Sequence, residues 1–420
     1  MSDKSFKLNI SLSRQTWEKR TSLVKLIKIF TDAKVDIRFI GGFVRNALLG
    51  LPITDIDFAT PLLPNKTIKL LETAGIDCIL TGVEYGTATA KVEGETYQIT
   101  TLRQDISNDG RRAKVKFTDC WKTDASRRDF TINAMSANLE GEIYDYFSGY
   151  NDLINGKIRF VGRAEKRITE DHLRILRYFR FMANLDFQPA SVESYNTCIE
   201  HAHLTKSLSG ERIWSELRKI LSLSSQIKVI EKMINDGITS HFLPQNVSTK
   251  YLVRIYELAN EHPSLNAIVD QPIVLLGCLL KDKKINIEKI ATKLKLSNKE
   301  LGELSKLLSP DTKMNSKMSK IELNGRVYRN GRRQFLSKLV LSWAMEKEKN
   351  NGSKLNDETW LKLVEKAASV KEKVFPVKGR DLIERGIPEG PQVSDILKSL
   401  EDWWVKNGCK ADKIACLKRL

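Results

Sequence analysis

The sequence predicts an α+β fold in which a mixed-sheet N-terminal region is followed by an all-helical remainder. Two observations predict it. From about residue 36 to 160, short strand-like runs alternate with short helical ones; past Gly162 the strand signals stop, and long apolar repeats at helical spacing run to the C-terminus, broken by Pro189, Pro244, Pro263, Pro272 and Pro310.

Taken in order, the segment Leu12 to Ala33 carries Leu23, Leu26, Ile27 and Phe30 at helical spacing and reads as an N-terminal helix. Ile37, Phe39 and Ile40 form a strand that ends at Gly41-Gly42, and Val44 to Leu49 forms the next helix. Strands follow at Asp55 to Ala59, Ile76 to Leu80, Thr87 to Val92, Tyr97 to Thr101 and Ile143 to Tyr146. Val92 and Tyr97 flank Glu93-Gly94-Glu95-Thr96, a turn signal, so these two runs are expected to pair as a hairpin beside the Asp55 strand. Loops are expected at Asn350 to Ser353 and at Phe375 to Gly379.

The chemistry concentrates in this first region. Alternate residues of a strand point the same way, so Asp55 and Asp57 are expected to present two carboxylates on one face while Ile56 enters the core. Two hard divalent cations suit such a pair. Gly41 and Gly42 lack Cβ atoms and let backbone N–H groups approach a polyphosphate, and Arg45 adds a charged donor. Alone, a Gly-Gly before a helix is usually a turn and an Asp-x-Asp usually a solvated loop. Together they suggest nucleotidyl transfer.

Two further segments extend the pattern. Arg127-Arg128-Asp129-Phe130-Thr131-Ile132-Asn133 joins cations to an acid and to a polar residue one turn on, a set able to hold triphosphate and ribose. Glu170-Asp171-His172-Leu173-Arg174-Ile175-Leu176-Arg177 has helical spacing, which places Asp171, Arg174 and Arg177 roughly along one face. A carboxylate accepts from the exocyclic amine of cytosine or adenine while a guanidinium donates to the neighbouring ring acceptors, so this face is expected to favour C and A over U and G.

These motifs, with Glu211-Arg212-Ile213-Trp214, stand in the order and spacing of the class II CCA-adding enzyme and bacterial poly(A) polymerase family, within the polymerase β-like nucleotidyltransferases. The resemblance is strong over residues 38 to 220, and Lys378-Gly379-Arg380-Asp381-Leu382 with Gly386 to Pro391 is similar to the tail segment of tRNA nucleotidyltransferases. It implies a nucleotidyltransferase head over residues 1–160 with a five-stranded sheet, a helical neck over 161–222, and a tRNA-binding body and tail over 223–420. It also implies roles: Asp55 and Asp57 for two Mg²⁺ ions; Gly41, Gly42 and Arg45 for the triphosphate; Arg128 and Asp129 for the ribose; Asp171 and Arg174 for the base, supported by Arg177 and Arg212; Asn133 is counted among the nucleotide-binding residues. The implied substrates are CTP, ATP and the 3′ end of tRNA, with protein groups in place of a nucleic-acid template.

The chain departs from the family pattern at two positions. Asn46 stands where many relatives carry Asp, and Gln98 where an acid usually precedes the paired threonines, which leaves a third carboxylate in doubt. Activity is expected to survive both. The polar run Arg103 to Lys116, with Asp105, Asp109, Arg111 and Arg112, resembles the flexible loop by which full CCA-adding enzymes switch from C to A, and argues against a CC-only enzyme.

Composition narrows the alternatives. A net charge of +17 points to a polyanionic partner, and 41 % hydrophobic residues over 420 support folded cores. Arg326, Arg329, Arg332 and Arg333 are candidates for phosphate contact or simply a solvated face. Five scattered histidines argue against a metal phosphohydrolase, six dispersed cysteines read as reduced thiols, and with no apolar run of membrane length the expected setting is the cytoplasm. The leading expectation is a CTP/ATP:tRNA nucleotidyltransferase. Poly(A) polymerase, an A-only enzyme, an inactive RNA-binding relative and a scaffold are the rivals. Oligomeric state is not set by the sequence.

Overall fold

The computed structural model describes residues 6–13, 17–80, 86–108, 113–222, 227–245, 247–281, 285–309, 314 and 316–420. Its contacts divide the chain into two compact units, one of Met1–Leu208 with Asp236–His241, the other of Ser209–Asn235 with Phe242–Leu420.

The first unit carries strands β1 (Lys7–Ser11), β2 (Arg38–Ile40), β3 (Asp57–Thr60), β4 (Asp77–Leu80), β5 (Thr87–Val92), β6 (Glu95–Thr101), β7 (Arg103–Asn108), β8 (Ala113–Phe117), β9 (Ser136–Ala137), β10 (Glu142–Tyr144), β11 (Lys157–Ile158) and β12 (Gln188–Pro189). Helices α1 (Thr21–Asp32), α2 (Gly42–Leu48), α3 (Pro64–Thr73), α4 (Trp121–Ser126), α5 (Gly149–Ile154), α6 (Ala164–Glu170), α7 (Leu173–Leu185) and α8 (Val192–Glu200) surround them. One mixed sheet runs in the order β1-β10-β9-β2-β3-β6-β5-β4, with β3 and β6 parallel. The expected hairpin is present: β5 and β6 pair antiparallel through Glu93 and Gly94, both at positive φ, and β6 lies against β3.

The sheet has eight strands where the resemblance implied five. The most N-terminal of them, β1, was not foreseen: its Leu8 and Ile10 alternate with polar residues but span only five positions, too few to stand out before the longer helical pattern. That helix begins at Thr21, not Leu12. Two residues, Gln188–Pro189, also pair with β11 inside the stretch expected to be purely helical.

The core beneath the sheet is aromatic. Phe39 of β2 stacks on Phe43 of α2 with ring centroids 4.1 Å apart and meets Phe58 of β3 at 4.8 Å and Trp17 at 4.9 Å. Leu23, Leu26 and Phe30 of α1 are fully enclosed, the stripe its periodicity predicted. A second cluster stacks Tyr178 of α7 on Phe160 at 5.2 Å and ties α7 to the Phe130 segment.

In the second unit every described regular element is helical, opening with α9 (Gly210–Leu221). The helix Pro272–Leu280 is buried on all sides from Ile273 onward, as an apolar run without amphipathic pattern must be. One buried cation is fully engaged: Lys347 Nζ donates to Glu261 at 2.9 Å and to Asp357 at 2.7 Å, and Trp343 Nε1 donates to the same Asp357. The expected breaks near residues 350–353 and 375–378 are there.

Candidate active site

Strand register assembles the carboxylate pair. β2 and β3 pair antiparallel with Arg38 opposite Ala59 and Phe39 opposite Phe58, and continuing that register brings the Ile40–Gly41 end of β2 beside Asp57. Asp57 opens β3, while Asp55 lies just before it, so the expectation that both belong to one strand is corrected by two residues. The alternation holds nonetheless: Ile56 is buried and both acids face outward. They line one polar cavity of about 500 Å³ with Arg20, Thr89, Glu95 and Gln98. Partial desolvation within this cavity raises the Asp57 carboxyl above its ordinary range, with Arg128 opposing and the nearby Asp55 adding a smaller push.

Gln98 is the register partner of Asp57 across the parallel β3–β6 pair, and Thr89 is its partner on the other side. The two acids that might have replaced a missing carboxylate are committed elsewhere. Thr21 Oγ1 donates to Glu93 at 3.0 Å, and Glu95 accepts from both Ser22 and Tyr97. Among the described residues no group of three His, Cys, Asp or Glu side chains gathers to hold a metal. The cavity therefore offers Asp55, Asp57 and the Gln98 amide, with a third carboxylate, Glu95, already held by Ser22 and Tyr97.

Gly41 sits at φ +64°, a backbone state that favours glycine, and an added Cβ would come 3.3 Å from Arg128 Nη1. That spacing links the glycine turn to the arginine segment. Asp124 of α4, buried, accepts from Arg127 Nε at 2.9 Å and from Arg128 Nη2 at 3.2 Å, and so aims both guanidinium groups. Sequence reasoning gave Asp124 no role, although its i,i+3 and i,i+4 spacing to the two arginines was readable.

Asp129 is buried and three-fold satisfied: Arg177 Nε donates at 2.6 Å, Asn133 Nδ2 at 3.1 Å and the Phe130 amide at 2.9 Å. Burial alone would raise its pKa; Arg177 and these hydrogen bonds overcome that and lower it. Asn133 Oδ1 in turn accepts from Arg45 Nη1 at 2.6 Å, and Asn46 Oδ1 accepts from Arg45 Nε and Nη2 at 3.1 and 2.8 Å. The expected phosphate, ribose and supporting residues Arg45, Asn133, Asp129 and Arg177 thus form one chain of contacts.

The base-selecting segment differs from its expectation. It is not one helix: α6 ends at Glu170, Asp171 is extended at φ −154°, and α7 begins at Leu173. The Asp171 carboxylate accepts the Leu173 amide at 3.1 Å, a local bond that competes with helix continuation. Asp171 therefore shares no helical face with Arg174 and Arg177. Arg174 is buried, its Nη1 donating to the Arg167 carbonyl at 2.9 Å and to Glu170 at 2.8 Å, its Nη2 to the Arg127 carbonyl at 3.0 Å. Glu170, which also accepts from Arg167, is a second positioning acid that the sequence reading missed.

Asp105 lies in β7, paired with β8, so the flanks of the expected flexible loop form a two-stranded ladder; Asp109, Arg111 and Arg112 lie outside the described residues. Arg212 stands in the first turn of α9, in the second unit.

Against known proteins, the chain is 34 % identical over 405 residues to the mitochondrial CCA tRNA nucleotidyltransferase 1 of Danio rerio, covering 95 % of this chain and 90 % of that one. The chain belongs to the CCA-adding enzyme family. The match extends to bacteria, with 31 % identity to the CCA-adding enzyme of Lactococcus lactis over 90 % of both chains. Family models agree piecewise: the Poly A polymerase head domain matches residues 37–159, the RNA and SrmB-binding site of polymerase A matches 192–247, and tRNA nucleotidyltransferase domain 2 matches 268–420. The Bacillus stearothermophilus CCA-adding enzyme in complex with CTP superposes with a TM-score of 0.73 at 26 % identity, over 95 % of this chain and 96 % of that one. The CCA-adding family thus accounts for both the mixed-sheet head and the helical remainder. No single helix among the described residues is long and apolar enough to cross a membrane.

Proposed function

We propose that this chain builds or repairs the 3′-terminal CCA of tRNA from CTP and ATP, without a nucleic-acid template. The observation that carries the reading is the Asp55/Asp57 wall with Arg128 and the Gly41 turn beside it. The 3′-oxygen of tRNA attacks the α-phosphorus of the nucleotide, a P–O bond forms, and pyrophosphate leaves.

Asp55 and Asp57 fit a divalent cation: two hard oxygen donors share one cavity, and the raised Asp57 carboxyl reflects burial plus like-charge repulsion that a cation would relieve. Two Mg²⁺ ions held there would supply Lewis acidity for the attacking hydroxyl and the departing pyrophosphate. Arg45 and Arg128 hold the triphosphate, and Asp129 orients the ribose. Asp171 and Arg174 select the base. For Arg174 this requires exchanging a present acceptor, the Glu170 carboxylate or a carbonyl, for the base edge. The helical second unit carries most of the tRNA affinity. Six free thiols accord with a reducing compartment, and we propose the cytoplasm.

The test is incorporation on tRNA lacking CCA, given CTP and ATP together and separately. Growth by three residues and a stop is expected, and Asp57→Ala should nearly abolish incorporation while tRNA binding persists. Unaltered incorporation by that variant would refute the site. The match of residues 37–159 to the Poly A polymerase head keeps a second reading in play, poly(A) synthesis, which long A-only products would establish.

A further inference from the structure

Strand order separates the two flanks of the carboxylate pair. β3, which opens with Asp57, has β2 and the Gly41 turn on one side and β6, then β5, on the other. Arg128, which stands beside Gly41, belongs to the β2 flank. The cavity lies on the opposite flank: besides the acids it is lined by Thr96 and Gln98 of β6, Thr89 of β5 and Arg20, while Gly41 and Arg128 are not among its lining residues.

Nucleotidyl transfer is an in-line displacement, so the attacking oxygen and the departing pyrophosphate lie on opposite sides of the α-phosphorus. With the triphosphate on the β2 flank, the attacking 3′-oxygen comes from the flank of β6 and β5. The cavity there, of about 500 Å³, has the size to take one nucleotide.

An RNA strand brings a charge with it, the phosphodiester behind its terminal nucleotide. Asp55, Asp57 and Glu95 repel that charge, and Arg20 is the one cation among the described residues that line the cavity. Arg20 is half-buried and held at two points. Its amide donates to the carbonyl of Trp17, itself buried against Phe39, at 3.0 Å, and its Nη2 donates to the Ile53 carbonyl at 3.0 Å. Among the described residues its Nε and Nη1 make no hydrogen bond and it forms no ion pair. Glu95 acts on it only through space, because that carboxylate takes its hydrogen bonds from Ser22 and Tyr97.

We propose that this flank seats the 3′-terminal nucleotide of the tRNA acceptor strand, and that Arg20 binds the phosphodiester joining that nucleotide to the one before it. The proposal rests on the reading of the chain as a tRNA nucleotidyltransferase and adds a residue for the acceptor rather than for the incoming nucleotide. The Ile53 bond ties the guanidinium to the segment that leads into Asp55, so the terminal ribose and the acids are held in one frame. A contact to the backbone carries no base information, so it serves the addition of C and of A alike.

The test compares the full chain with Arg20→Gln and Arg20→Lys on tRNA ending before CCA, once unmodified and once with its last phosphodiester replaced by an uncharged methylphosphonate. Measured are kcat/KM for each RNA and KM for CTP. On unmodified RNA, Arg20→Gln should lose about tenfold in kcat/KM, the size of one charge-assisted hydrogen bond, with KM for CTP changed less than about twofold. The methylphosphonate should cost wild type a similar factor and Arg20→Gln less than about twofold, because both changes remove the same contact. Arg20→Lys should recover part of the loss and stay sensitive to the methylphosphonate.

Equal methylphosphonate losses in wild type and Arg20→Gln would overturn the proposal, since a residue that only braces the Ile53 segment lowers activity on both RNAs by the same factor. A tenfold rise in KM for CTP without any loss toward RNA would overturn it too, by assigning Arg20 to the incoming nucleotide. Indifference of wild type to the methylphosphonate would do so without reference to any variant, so a variant that folds poorly does not shield the idea. If wild type incorporates neither CTP nor ATP on unmodified RNA, the functional reading fails and this proposal falls with it.

Discussion

Arg177 Nε donates to Asp129 Oδ2 at 2.6 Å, and this pair fastens α7 to the segment that carries the paired arginines. Because Asp129 is buried and its other contacts come from Asn133 and the Phe130 amide, its charge is held by fixed donors. Asp129→Asn should lower stability by about 1–3 kcal/mol, read from denaturant unfolding at neutral pH. The pH dependence follows in sign. The folded-state pKa lies below the unfolded value of about 3.9, so this contribution is complete above pH ~4 and is lost as pH falls through the folded pKa. The variant should lack that part of the acid destabilisation; an unchanged acid limb would count against it.

Asp57 has the opposite sign. Its folded-state pKa is raised, so the folded protein binds the extra proton, and stability declines as pH rises from about 4 through the raised value. Asp57→Asn should therefore melt at or above the wild-type temperature at pH 7 without divalent cations, while incorporation is nearly lost. A variant that melts clearly lower would show that the carboxylate is structural.

Gln98 faces Asp57 across the β3–β6 register, while Glu93 and Glu95 accept hydrogen bonds from Thr21 and Ser22. Gln98→Glu places a carboxylate opposite Asp57, which already resists ionisation. The rate at saturating Mg²⁺ should stay within about threefold of wild type, because metal activation can supply the nucleophile without it. The unliganded melting temperature should fall. A many-fold faster initial rate of CTP incorporation would show that the natural amide limits catalysis.

The Tyr178 hydroxyl is enclosed and has no hydrogen-bond partner among the described residues, and burial pushes its pKa well up. Its ring supplies the packing, stacked on Phe160. Tyr178→Phe should keep the stack, remove an unsatisfied polar atom and raise stability by about 1 kcal/mol, measured by denaturant unfolding. A loss of similar size would reveal a bound water or other partner at the hydroxyl.

What could be read in advance follows from the range of the interactions. The hairpin at Glu93-Gly94, the alternation of Asp55, Ile56 and Asp57, and the buried stripe of α1 are set by neighbours within a few residues, and all three were legible. The break at Asp171 was not, since periodicity continues through it, whereas in the fold Asp171 is extended and its side chain accepts the Leu173 amide. β1 was missed for a related reason: a five-residue strand at a sheet edge draws its stability from pairing with β10, far along the chain.

From residue identity alone came the types of group present: two acids two apart, a glycine turn, paired arginines, and an amide at position 98 where an acid was expected. Folding decided which of them meet. Asp124 aims Arg127 and Arg128, Glu170 engages Arg174, and three guanidinium groups converge on Phe181, because strand pairing and helix packing bring together residues up to 136 positions apart, Arg45 and Phe181 among them. Charge and hydrogen bonding act over a few ångströms, and only the folded backbone sets those distances.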